Sequence, residues 1–129
     1  MPRGLVIGPC HARSVAYSRI GASGIFFAGL LGRLGIAPEI NGKATITSGF
    51  TAERLITGEA DLAVQQLSEL KQVSGIEVVG PIPYELQTPA IFSAGRMVSS
   101  KQPGTADALL RFLASPEVAP TLRESGLEP

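Results

Sequence analysis

The chain has 129 residues, enough for one domain with a hydrophobic core. Eleven Lys and Arg side chains balance eleven Asp and Glu, and aromatic residues make up 5%, so the composition predicts no nucleic-acid partner and no anionic membrane partner. A single Cys excludes an internal disulfide, and a single His disfavours a metal site built by the protein, so we expect no metal and no cofactor.

The first predicted elements are a short strand and a buried helix. Residues 14–18 alternate apolar and polar side chains, which is typical of a strand. A small-residue loop follows at 21–24, and apolar side chains then recur at helical spacing over 26–34. The longest apolar stretch, 24–34, contains Arg33 and is shorter than the roughly 20 residues of a membrane span. We therefore expect a buried helix and no membrane insertion.

Further strands alternate with short helices in the next part of the chain. Strands are predicted at 43–49, 60–66 and 76–83, and helices at 50–58 and 68–73 with Ser68 as N-cap. Alternation of this kind is typical of an α/β fold with a parallel-rich sheet flanked by helices.

The carboxyl-terminal part follows a different pattern. Residues 88–100 are predicted to be extended, and a helix begins at Pro103. Ser115 and Pro116 fit the start of the last helix, as N-cap and first residue. Gly126 followed by Leu127 fits a Schellman motif at its end.

Polar side chains gather at one predicted edge of the sheet. Ser23 lies in the first loop, Ser48 follows the second strand, and Gln65, Gln66 and Ser68 stand at the end of the third. Parallel strands end at the same edge, where ligands of open α/β sheets bind. Backbone N–H groups at a helix start bind anions, but Ser23 also fits an N-cap. One of the two glutamines is expected to point inward and to need a partner, so Gln66 fits either a ligand contact or a structural hydrogen bond.

Catalytic residues are sparse in the sequence. Cys10 beside His11 is the one nucleophile–base pairing, and nothing nearby orients it. Glu59 and Asp61 are interpreted as part of a solvated loop. The spacing of the glycines in the loop at 21–24 matches neither the Walker A motif nor the G-x-G-x-x-G motif of nucleotide-binding proteins. We therefore expect a binding protein and not an enzyme.

Several segments together resemble a known family. They are AYSRIGASGIFFAGLLGRLGI, GEADLAVQQLSE, GIEVVGPIPYELQ and the closing FLASPEVAPTLRESGLEP. These segments are similar to the second half of molybdate-binding-type solute-binding proteins, which are type II periplasmic binding proteins of ABC importers. The resemblance covers about residues 12–129.

The resemblance implies a ligand and a site. The expected ligand is a small oxyanion such as molybdate or tungstate, held by hydroxyls and backbone N–H groups. The implied contacts are Ala22, Ser23, Gly24, Ser48 and Gln66. Gln66 stands where the best-known molybdate binders carry a tyrosine, which bears on which anion is bound. An ABC permease is the implied partner and the periplasm the implied location.

The resemblance also implies an organisation. We expect an irregular segment at 1–12, an α/β ligand-binding lobe at 13–83, and a hinge, crossover strand and carboxyl-terminal helices at 84–129. The family's first lobe has no counterpart here, so the chain is expected to be a half-protein or a fragment, cytoplasmic if it is complete. Its last helices then need another partner, which predicts a homo-oligomer, with exchange of 88–129 as one form of dimer. The alternative hypothesis is an assembly module that keeps the fold without the ligand.

Overall fold

The computed structural model describes residues 11–129, which divide at Pro89 into two compact units. The expectation of an irregular segment at 1–12 and the pairing of Cys10 with His11 fall mainly outside the described residues.

The first unit is built on a parallel sheet. Strands β1 (Val15–Tyr17), β2 (Ala44–Ile46) and β3 (Leu62–Ala63) form a 3-stranded sheet in the order β2-β1-β3. In the parallel register, Val15 lies opposite both Ala44 and Leu62. β1 is central and all three of its residues are buried, as is usual for a parallel strand that is covered on both faces. The predicted α/β fold class is confirmed.

Helix α1 (Gly21–Arg33) covers the central strand. Its periodic apolar residues face inward, and the ring of Phe27 meets the ring of Tyr17 edge-on, with centroids 5.2 Å apart and planes at 73°. The fully buried core consists of Val15, Tyr17, Phe27, Leu30, Leu31 and Ile40.

Short helices connect the strands of the first unit. They are α2 (Ala37–Asn41), α3 (Glu53–Ile56), α4 (Leu67–Leu70) and a 3₁₀ turn at Tyr84–Leu86. α3 and α4 lie within the predicted helical stretches or next to them, whereas α2 was not predicted, because Pro38 reads as a helix terminator. Pro38 instead occupies the first turn of α2, where its missing N–H costs nothing.

Two predicted elements of the first unit are wrong. The predicted loop at 21–24 is the first turn of α1, since the helix begins at Gly21. The predicted strand at 76–83 joins no ladder among the described residues. Pro81 and Pro83 supply no N–H to a ladder, and Gly80 has a φ of 145°, so this stretch is extended but unpaired.

The second unit contains helices α5 (Pro103–Leu113) and α6 (Ala119–Glu124). α6 begins after the predicted Ser115–Pro116 start, because Ser115 and Pro116 lie in a turn in which Val118 N–H donates to the Ser115 carbonyl at 3.2 Å. The predicted Schellman ending is confirmed. Leu127 N–H donates to the Leu122 carbonyl at 2.9 Å, and Gly126 has a φ of 85°.

Candidate functional site

A cleft opens in the first unit where the parallel strands end. Its volume is about 290 Å³, near the lower end of the range for small-molecule sites. Each strand leads into one part of the wall: β1 into Ser18, β2 into Gly49 and β3 into Gln65. This is the carboxyl edge at which open α/β sheets bind ligands. The lining residues are Ser18, Ile20, Gly21, Ala22, Ser23, Gly49, Phe50, Gln65, Gln66 and Glu69.

The amino-terminal end of α1 forms one wall of the cleft. Helix geometry leaves the first N–H groups without a partner inside the helix, and the dipole gives this end a partial positive charge. Gly21, Ala22 and Ser23 are the first residues of α1 and all line the cleft. The N-cap is Ile20, and no side chain caps the helix. Ser23 is therefore not the N-cap, and one of the two interpretations of this residue is removed.

Ser18 holds the turn that leads into α1. Its hydroxyl donates to the Ile20 carbonyl at 2.8 Å and accepts the Ile20 N–H at 3.1 Å. Gly24 packs against the Ser18 carbonyl so closely that a Cβ at position 24 would overlap it. The serine turn and the glycine together bring the start of α1 onto the end of β1, which directs the helix N–H groups at the cleft.

Gln65 joins the opposite wall to the sheet. Its amide oxygen accepts the Thr51 N–H at 2.8 Å and the Thr51 hydroxyl at 3.2 Å, and its amide nitrogen donates to the Gly49 carbonyl at 3.0 Å. Of the two glutamines, Gln65 thus satisfies the expectation of an inward side chain with a partner. Both ends of a neutral amide are used, so Gln65 fixes the position of Gly49 and Phe50.

Gln66 and Glu69 form the third part of the wall. Gln66 is the N-cap of α4, and the two residues make a capping box. Glu69 Oε2 accepts the Gln66 N–H at 3.3 Å, which turns the carboxylate back towards the start of α4. Both side chains are half-buried and line the cleft.

Neutral donors dominate the lining of the cleft. Glu69 is the charged side chain among the lining residues, and no Lys or Arg is among them. Arg19 lies in the same loop as Ser18, but its guanidinium donates to Asn41 Oδ1 at 3.4 Å. An anion bound in this part of the chain would therefore meet backbone N–H groups, the Ser23 hydroxyl and the Gln66 amide, with the Glu69 carboxylate on the neighbouring wall.

The structure brings some of the predicted contact residues together. Ala22, Ser23 and Gln66 line the cleft, whereas Gly24 is buried beneath it and Ser48 is not among the lining residues. The neighbours of Ser48, Gly49 and Phe50, take that place.

Sequence reasoning missed Glu69 as a cleft residue. It placed Ser68 with the glutamines at the edge of the sheet and interpreted the segment from Ser68 as a short helix, without considering Glu69. The available signal was the spacing of three residues between Gln66 and Glu69, which is the spacing of a capping box and brings a carboxylate back to the helix start.

Within residues 11–129, no group of three or more His, Cys, Asp or Glu is placed to hold a metal ion. No helix in this part of the chain has the length and apolar character of a membrane span.

Comparison with known proteins gives a family and a relative. Residues 11–128 match the family described as bacterial extracellular solute-binding protein. A Pseudomonas sp protein named aconitate isomerase is 39% identical over 120 residues, which are 92% of this chain and 45% of that protein. The chain thus spans less than half the length of this relative. No solved structure gives a significant match.

The aconitate isomerase relative corrects one expectation. The sequence predicted no enzymatic activity, because no acid–base constellation was recognised. The 39% identity to a protein named as an isomerase overturns that prediction. The physical reason for the error is that proton transfer by a single carboxylate needs no nucleophile and no acid–base pair, and so leaves no motif in a sequence.

Proposed function

The chain belongs to the bacterial extracellular solute-binding proteins, and we propose that it binds a small polycarboxylate of the aconitate class in the cleft, as part of an isomerase. The family match over residues 11–128 supports a small ligand. The identity of that ligand and the chemistry of the cleft are our proposal.

The position of the α1 start in the cleft carries the proposal. Gly21, Ala22 and Ser23 present N–H groups that no side chain caps, at the positive end of a 13-residue helix. A carboxylate placed there accepts these N–H groups through charge-assisted hydrogen bonds. Gln65 and the serine turn hold both walls through hydrogen bonds, so little ordering is needed when a ligand binds.

Two observations favour a carboxylate over molybdate or tungstate. The cleft of about 290 Å³ has room for more than one tetrahedral oxyanion, which suits a branched organic acid. The relative named aconitate isomerase is 39% identical. Oxyanions use the same kind of donors, so they belong in the test as competing ligands.

Calorimetric titration of the full chain tests the proposal. The titrants are cis-aconitate, trans-aconitate, citrate, molybdate, tungstate and sulfate, each checked by the shift of the thermal midpoint that binding to the folded state produces. We expect the aconitates to bind more tightly than the oxyanions. Preference for molybdate or tungstate would replace the proposed ligand by the importer ligand, and no binding of any anion would favour an assembly module.

A backbone substitution shows whether the helix start makes the contact. Ala22→Pro removes an N–H that has no partner inside the helix, and proline fits the first turn. We expect aconitate affinity to fall about 10- to 100-fold, the value of a hydrogen bond to a charged group. Ala22→Gly keeps the N–H and is the matched control. Equal affinities for the two variants would place the ligand elsewhere.

Partners and location extend the proposal. Solute-binding proteins of this family in general serve a transporter, and the family is extracellular by its description. We propose the periplasm as the location, an ABC permease as a transport partner, and a second copy of the chain as the partner of the second unit. Apolar side chains exposed in that unit support self-association.

A further inference from the structure

We infer that Glu69 is the catalytic residue that moves the proton during isomerisation in the cleft. This inference rests on the proposed function and assigns a role within the same site. Glu69 is the titratable side chain among the lining residues, and the other polar groups of the lining are hydroxyls and amides. A hydroxyl or an amide does not act as a general base without a partner that takes its proton, whereas a carboxylate does.

The chemistry of aconitate requires such a group. Its double bond joins the central carbon to one end carbon, and a CH₂ group joins the central carbon to the other end. Removal of a CH₂ proton and return of a proton to the former alkene carbon moves the double bond. The product has the same connectivity as the substrate, and the new double bond forms with either geometry. An allylic proton shift therefore interconverts cis- and trans-aconitate.

The step balances with Glu69 alone. The C–H bond of the CH₂ group breaks, its proton goes to the Glu69 carboxylate, and its electron pair delocalises over the allylic carbons into a substrate carboxylate. The former alkene carbon then takes the proton, a new C–H bond forms there, and Glu69 is again ionised. No oxidant, reductant or co-reactant is consumed.

Geometry places the two parts of this mechanism on different walls. The N–H groups at the start of α1 face charge that develops on the substrate carboxylate, where preorganised donors lower the barrier. Glu69 lies on the wall formed by α4, and Gln66 N–H holds its Oε2 at 3.3 Å. The capping box thereby orients the carboxylate before substrate arrives.

Proton exchange into solvent provides the test. The full chain is incubated with cis-aconitate in D₂O and followed by proton NMR, which reports both the formation of trans-aconitate and the exchange of CH₂ hydrogen for deuterium. Glu69→Gln keeps an oxygen acceptor for the Gln66 N–H but has no base. We expect isomerisation and exchange to fall about 100-fold or more, while aconitate still binds and the thermal midpoint is kept.

Glu77→Gln is the matched control. It makes the same change of charge at an exposed residue of the first unit that is not among the lining residues, and both rates should equal those of the wild type. Glu69→Asp retains a carboxylate and is expected to keep part of the exchange that Glu69→Gln loses.

Four other outcomes would overturn either the role of Glu69 or the proposed function. Exchange by Glu69→Gln at the wild-type rate overturns the role of Glu69. Parallel loss of binding and exchange also overturns it, and assigns Glu69 to capping α4. A wild-type chain that binds aconitate but neither isomerises it nor exchanges its CH₂ hydrogen overturns this inference and leaves the binding function standing. A wild-type chain that does not bind aconitate overturns both.

Discussion

Arg13 and Asp61 join the start of β1 to the start of β3. The backbone N–H and Nε of Arg13 both donate to Asp61 Oδ2 at 3.0 Å, and Nη2 donates to Oδ1 at 3.0 Å. The ionised carboxylate accepts these bonds, so the Arg13 side chain, followed by its backbone N–H, lowers the pKa of Asp61. The partners are 48 residues apart, which is why the sequence predicted only a solvated loop here.

The pKa of a second carboxylate in this region, Glu59, is also lowered by hydrogen bonds. The Thr57 hydroxyl donates to Glu59 Oε1 at 2.9 Å, and Arg54 Nη1 donates to the same oxygen at 3.0 Å. The Thr57 bond, followed by the Arg54 bond, lowers the pKa of Glu59. Neither carboxylate lies in the cleft, so these shifts concern stability and not the proposed chemistry.

We predict that acid weakens the fold partly through Asp61. A carboxylate whose pKa is lower in the folded than in the unfolded state stabilises the fold above its ordinary pKa. That contribution is lost as the pH falls below about 4 and through the lower folded value. Urea unfolding followed from pH 7 to 2 should therefore show a smaller loss of stability in Asp61→Asn than in the wild type. Identical pH dependence would contradict the role of the pair, and Glu77→Gln controls for the charge change.

Helix α1 is the element that the sequence predicted best, and its start is where the prediction failed. Apolar spacing over 26–34 gave the buried face, because packing against a sheet requires that period. The small residues of 21–24 suggested a loop, because glycine and serine are poor helix formers. They are helical because Gly24 alone fits beside the Ser18 carbonyl, a tertiary contact that spacing does not reveal.

We predict opposite effects for alanine at two glycines of α1. A Cβ at Gly24 would overlap the Ser18 carbonyl, so Gly24→Ala should reduce the free energy of unfolding by about 1–3 kcal/mol. A Cβ at Gly29 would meet no atom within 4 Å, so Gly29→Ala should raise it by about 0.5–1 kcal/mol. Urea denaturation measures both. Equal effects of the two substitutions would refute the close approach at Gly24.

The three predicted strands that form the buried sheet were predicted correctly. The strands at 14–18, 43–49 and 60–66 exist as shorter ladders, since period-two patterns mark extended backbone but not the number of paired residues. The predicted strand at 76–83 is extended but unpaired among the described residues. An apolar extended pattern in the sequence does not reveal whether another strand lies beside it to form hydrogen bonds.

The chain as a whole contains one unit with a buried core and one with much exposed apolar surface. In the second unit Ile91 is 89% exposed and Val98 is 99% exposed, and the exposed face of α5 includes Phe112 at 52%. Exposed apolar side chains in such number are typical of surfaces that bind another protein.

We predict that the chain self-associates at micromolar concentration through this surface. Light scattering coupled to size-exclusion chromatography should give a mass above that of the 13.4 kDa monomer. Phe112→Glu should reduce the mass by placing a charge in the interface, while Lys101→Glu, at an exposed polar position of the same unit, should leave it unchanged. A strict monomer at tens of micromolar would contradict self-association.

The identity of the ligand is the property on which the sequence says least. The sequence identified the sheet edge and the helix N-terminus, because parallel topology places loops together whatever they bind. The resemblance predicted a tetrahedral oxyanion. Backbone N–H groups at a helix start bind carboxylates equally well, so these donors do not distinguish the two kinds of anion. Cleft volume and the neighbouring carboxylate of Glu69 depend on how separate segments meet, so neither could be predicted from spacing.

The position of β1 has a consequence for biosynthesis. β1 is central in the sheet, yet its partners β2 and β3 follow it by long stretches of chain. A growing chain therefore leaves the ribosome with both edges of its most deeply buried strand unpaired, and pairing is complete only after Leu62 has emerged. Loop closure over such separations is slow, and unpaired apolar strands invite aggregation. Helix α1, made directly after β1, is the segment available to shield that strand in the interval.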